Sequence, residues 1–85
     1  MAKLTYPIVF IFNPETKLFN GFVPDLAIYA EGVTRKDVTE EAEHILVKYM
    51  ELAQKYKTDI PKPTSMEKTK EKWKAYEIGL VSVKV

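Results

Sequence analysis

Apolar positions along the chain fall into short dense runs and one long periodic stretch. Residues 3–12 are rich in Ile, Val, Phe and Tyr and read as a strand. Asn13-Pro14-Glu15-Thr16-Lys17 is a turn, because Pro14 sets φ and removes a donor while Asn13 starts the reversal. Residues 18–23 form a second strand, closing a hairpin over residues 3–23. Pro24 and Asp25 break it, residues 27–31 make a short third strand, and Gly32 ends that strand.

The pattern then changes period. Val38, Ala42, Ile45, Leu46, Tyr49, Leu52, Ala53 and Tyr56 recur at helical spacing. Glu40, Glu41, Glu43, His44, Lys48, Glu51 and Lys55 supply the polar face. Thr34 followed by Asp37 resembles a capping box, so a helix is expected over residues 34–56, about 33 Å long. Pro61 and Pro63 stop any continuation. Thr64 with Glu67 predicts a second cap and a short lysine-rich helix to about Lys74. Residues 75–85 are a final strand. The predicted class is α+β, in the order β-β-β-α-(short α)-β. An antiparallel three-stranded meander and a C-terminal strand carry one long helix on the sheet.

Sheet geometry raises a covering problem. Four strands span roughly 15–20 Å at about 4.8 Å spacing, whereas one helix covers a stripe of about 10 Å. Yet residues 3–12 are apolar on both faces: Leu4, Tyr6, Ile8, Phe10 and Phe12 point one way, and Pro7, Val9 and Ile11 the other. The last strand repeats the pattern, with Tyr76, Ile78 and Leu80 against Val81, Val83 and Val85. A sheet with one wet face alternates apolar with polar. The expectation is that another chain covers the second face or an edge, so a homo-oligomer is predicted. The competing reading covers that face with the short helix and the loops.

Length and charge add bounds. With 85 residues, one domain over residues 1–85 is expected, and a chain this small has a marginal core. The absence of cysteine excludes a disulfide framework and a thiolate metal site, which fits the cytoplasm. No run is long enough for a membrane span, and the N-terminus is too strand-like for a signal peptide. Net charge is +1, but it is unevenly spread. Residues 35–51 hold five acids against three bases, and residues 55–74 hold seven lysines against three acids.

The chemistry of common enzymes is missing. The first two strands have no Asp or Glu to hold a divalent metal. His44, the sole histidine, lies on the polar helix face, where its pairing with Glu40 or Glu41 reads as a solvated contact. Ser65 and Ser82 lack a nucleophile elbow, and the three glycines are isolated. No catalytic residue, metal or cofactor is predicted. The lysines around Trp73 interleave with Glu67 and Glu71, which reads as a solvated helix with Trp73 as its core anchor rather than a base-stacking platform.

Several runs taken together resemble the HicB antitoxin family: Tyr6-Pro7, Phe22-Val23-Pro24-Asp25-Leu26, Glu31-Gly32-Val33-Thr34, the helix with Glu40, Ala42 and Tyr49, and Ile60-Pro61-Lys62-Pro63-Thr64-Ser65. The resemblance covers residues 4–65 and continues in order to the last strand. It implies a degraded ribonuclease-H-like fold and a non-enzymatic antitoxin that neutralises a small RNA-cleaving HicA-type toxin by protein–protein contact. By charge sign alone, the acids Asp25, Glu31, Glu40 and Glu43 are expected to face a partner, and Tyr29 is expected among the partner-facing residues. Two departures stand out. Ala27-Ile28-Tyr29 replaces the family's Pro-Gly-Cys, so loss of the tight glycine turn is expected. The sequence also ends at its last strand, where many members continue into a DNA-binding segment, so no separate DNA-binding domain and no operator binding are expected. The alternatives are a stand-alone oligomeric binding module without a toxin and an RNA-binding protein of ribonuclease-H-like ancestry.

Overall fold

The computed structural model describes residues 3–84. Strands β1 (Lys3–Asn13), β2 (Leu18–Val23) and β3 (Ile28–Gly32) precede helices α1 (Arg35–Lys55) and α2 (Met66–Lys72), and β4 (Glu77–Lys84) closes the order. All pairings are antiparallel, and the strand order is β3-β2-β1-β4. The expected α+β class, meander and element order are therefore present. Boundaries moved by a residue or two, and the predicted end of the last strand at Val85 lies outside the described residues.

The β1–β2 turn forms as its residues dictate. The Asn13 side chain accepts from Glu15 N at 3.0 Å, and Lys17 N donates to Asn13 O at 2.8 Å. Lys17 takes a left-handed φ of 59° to complete the reversal. Pro7 sits in a central strand, where a missing donor normally breaks a ladder. Pairing of β1 with β2 begins only at Val9, so Pro7 lies where β1 pairs with β4 alone. Ser82 N–H points away from β1, to Glu43. By alternation the Pro7 nitrogen points away from β4, and no ladder bond is lost.

Thr34 caps α1, its hydroxyl accepting from Asp37 N at 3.1 Å. The helix buries Val38, Ala42, Leu46, Met50 and Ala53, a narrow stripe stepping four residues at a time to Met50 and then three. Ile45 and Tyr49 flank it half-buried, while Leu52 and Tyr56, expected on this face, are exposed. The stripe packs on Tyr6, Ile8 and Phe10 of β1, Val23 of β2, Ile28 and Ala30 of β3, and Val81 and Val83 of β4. Close approach needs Gly21. A Cβ there would overlap Val38 Cγ1 and lie 2.9 Å from Ile8 Cδ1.

The second helix differs from its sequence reading. Its cap is Ser65, accepting from Lys68 N at 3.2 Å, and not Thr64 with Glu67. Thr64 is diverted to another bond, described below. The helix is also shorter than expected and ends at a Trp73 cap. Trp73 is half-buried and meets Phe22 edge-on at 5.3 Å. Phe22 pairs with Tyr29 and shares its face, opposite α1.

This placement corrects the covering argument. Pro7 and Val9, on the face turned from α1, are fully buried within the single chain. Trp73, between α2 and β4, meets Phe22 on that face, and no second chain is required to bury the centre of β1. Apolar exposure on that face remains toward the edges, at Tyr29 and Leu80.

Candidate functional site

The five expected partner-facing residues divide into three environments. Asp25 and Glu43 are already engaged inside the fold. Asp25 Oδ2 accepts from Thr64 N at 2.9 Å, and Asp25 Oδ1 accepts from the Thr64 hydroxyl at 2.5 Å. These bonds tie the β2–β3 turn to the segment leading into α2. Nearby, the buried Tyr6 hydroxyl donates to Pro61 O at 2.7 Å and holds the same segment. The Tyr6 phenol is pushed above its ordinary pKa, first by burial and then by the negative charges of Asp25 and of ionised Tyr49.

Glu43 Oε2 accepts from Ser82 N at 2.8 Å. Strand β4 is an edge, and this carboxylate occupies one outward N–H that would otherwise template another strand. Thr5 and Ser82 add a hydroxyl pair at 3.0 Å across β1 and β4.

Tyr29 and Glu31 form the second environment. Both are exposed on edge strand β3 and point to the face opposite α1. Tyr29 is 69% exposed, and its ring stacks on Phe22 at 5.1 Å with 19° between planes. With Trp73, Ile11 and Asn20 these rings border an open groove of about 390 Å³. Sequence reasoning missed this groove. Phe22 and Trp73 lie 51 positions apart, and only the tertiary fold brings them together.

Glu40 belongs to the third environment. It lines a shallow depression along the outer side of α1 with Asp37, Glu41, His44, Ile45 and Lys48. The predicted residues therefore do not converge on one site. Tyr29 and Glu31 lie on the sheet face, Glu40 projects from the helix, and two carboxylates are structural.

The turn before β3 also departs from expectation. Leu26 N donates to Val23 O at 3.2 Å, and Ala27 adopts a φ of 53°. The reversal stays tight without glycine, through an alanine held in the left-handed region. That conformation costs a non-glycine residue about 1–2 kcal/mol.

Among the described residues, no group of three or more His, Asp or Glu side chains is placed to hold a metal ion. His44 is exposed on α1. No described helix is long and apolar enough to cross a membrane.

No protein-family profile matches the sequence, and no curated protein matches it by sequence. The fold has a clear counterpart. The crystal structure of the N-terminal domain of the Burkholderia pseudomallei antitoxin HicB superimposes with a TM-score of 0.83. The match covers 96% of this chain and 100% of that one, at 20% sequence identity. The chain thus has the HicB N-terminal-domain fold, with four antiparallel strands in one sheet and a long helix packed on it.

Proposed function

We propose that this chain is an antitoxin-like binding protein that neutralises a small RNA-cleaving toxin of HicA type by protein–protein contact, without chemistry of its own. The observation that carries the reading is the superposition on the HicB antitoxin domain over 96% of the chain. The order of short motifs from Tyr6-Pro7 to Thr64-Ser65 supports it independently. On this reading the protein works in the cytoplasm, where the toxin meets its RNA.

Glu40 with Asp37 and Glu41 on the outer side of α1, and Glu31 at the β3 edge, are exposed acids that would meet a basic toxin. Asp25 and Glu43 contribute indirectly, by holding the α2 segment and the β4 edge. Tyr29 adds an exposed aromatic anchor beside Glu31. Self-association is proposed through exposed apolar edges rather than through an uncovered sheet face.

Co-expression with the product of the adjacent reading frame tests the function. Relief of growth arrest together with co-purification is the expected result. Growth arrest that persists when this protein is abundant and soluble would reject it. The surface is tested separately by Glu31→Lys with Glu40→Lys, which is expected to weaken complex formation at least tenfold while leaving the melting temperature near that of the parent.

A further inference from the structure

The two sides of the molecule differ in charge. The depression along α1 is acidic, with Asp37, Glu40 and Glu41 against Lys48. The opposite side carries the aromatic groove, and α2 with the residues after it contributes Lys68, Lys70, Lys72 and Lys74 against Glu67 and Glu71, a net of +2. All four lysines are exposed. Lys72 Nζ lies 5.8 Å from the Trp73 ring centre, so positive charge stands directly at the groove. Including Glu31 on the β3 edge, this side remains net positive.

The rings are set to receive a flat partner. Phe22 and Tyr29 stand nearly parallel, and Trp73 meets Phe22 at 79°. Together they make a corner with one platform and one wall. Tyr76 extends the aromatic strip, 6.1 Å from Trp73. Asn20 brings an amide, with both donors and an acceptor, to the rim. The groove volume of about 390 Å³ falls in the range of small-molecule sites, about 300–1,000 Å³. Aromatic faces beside a row of lysines are the elements by which proteins hold single-stranded nucleic acid: bases stack on rings and phosphates meet ammonium groups. The positive charge beside the rings attracts a polyanion.

We propose that this groove binds single-stranded RNA, one base stacking against Tyr29 and Trp73 while Lys70, Lys72 and Lys74 contact its phosphates. This goes beyond the antitoxin reading and does not depend on it, since the test uses the 85-residue chain alone. Trp73 is the only tryptophan, so its fluorescence reports on the groove directly.

Titration with a uridine 12-mer at 50 mM salt is expected to quench Trp73 saturably. Three phosphate contacts give a log–log salt slope of about −2, so binding weakens about twentyfold between 50 and 200 mM salt. Tyr29→Ala, at an exposed position, is expected to weaken binding about tenfold, and Lys72→Glu with Lys74→Glu to abolish it. An abasic 12-mer with the same phosphates should bind at least tenfold more weakly. Equal binding of the abasic strand would overturn the proposal, because charge alone would then suffice. No quenching at 1 mM oligonucleotide would also overturn it. So would a groove in which only a partner protein, and not the RNA, perturbs Trp73.

Discussion

Replacing Asp25 with alanine removes a carboxylate that accepts two hydrogen bonds from Thr64, one from the backbone and one from the hydroxyl. Hydrogen bonds to a charged group contribute about 1.5–3 kcal/mol each when buried. Asp25 is half-exposed, so the lower end applies. The backbone N–H of Thr64 loses its partner as well, and the Tyr6 hydroxyl bond to Pro61 remains as a tether nearby. We expect Asp25→Ala to lose about 2–3 kcal/mol. For a domain of this size about 1 kcal/mol shifts Tm by 4–8 °C, which places the melting point about 8–24 °C lower. Thr64→Val removes only the hydroxyl bond and should cost about 1 kcal/mol. The two changes share a bond, so the double variant should fall short of the sum by about 1 kcal/mol. Urea unfolding followed by far-ultraviolet circular dichroism, with Trp73 fluorescence as a second probe beyond the latch, measures all three. An Asp25→Ala variant within 0.5 kcal/mol of the parent, or strict additivity with Thr64→Val, would refute the latch. A loss of partner binding in Asp25→Ala should therefore accompany its loss of stability.

Ala27→Gly should stabilise the protein by about 1 kcal/mol in urea unfolding, because it relieves the left-handed backbone at φ 53°. Gly21→Ala should destabilise it by about 1–3 kcal/mol, since the new methyl meets Val38 and Ile8 where α1 crosses β2; thermal melting reads this out. Tyr6→Phe should lose about 1 kcal/mol at neutral pH with the bond to Pro61. The parent's folded phenol has its pKa raised above 10, so the fold holds this proton more tightly than the unfolded chain. That contribution is complete below about pH 10 and is lost as pH rises through the folded pKa. Stability measured upward from pH 10 should fall in the parent and stay flatter in Tyr6→Phe.

Local elements were legible because their signals are local. Thr34 before a polar-apolar periodicity starts α1, and Asn13-Pro14 reverses β1, without reference to the rest of the chain. The α1 face was legible only approximately. Periodicity admitted Leu52 and Tyr56, which the fold leaves exposed, and passed over Met50, which it buries. The Thr64–Glu67 cap failed for a related reason. Thr64 and Ser65 are both competent caps, and the choice was made by Asp25, 39 positions away, which claims the Thr64 hydroxyl.

The candidate surface was least legible. Charge sign selected Asp25 and Glu43, and each also accepts from a backbone N–H that only the fold presents to it. Tyr29 is a lone aromatic in sequence and becomes part of a groove when segment 61–76 lays Trp73 against Phe22.

Sequence by itself determined the α+β class, the order of the elements, and the cap and length of α1, because period and turn chemistry act over a few residues. Tertiary structure decided which acids are structural, which apolar positions are covered and where the aromatic groove lies. Those properties depend on hydrogen bonds and contacts between residues tens of positions apart, and the β3-β2-β1-β4 sheet with its return crossing is what sets those distances.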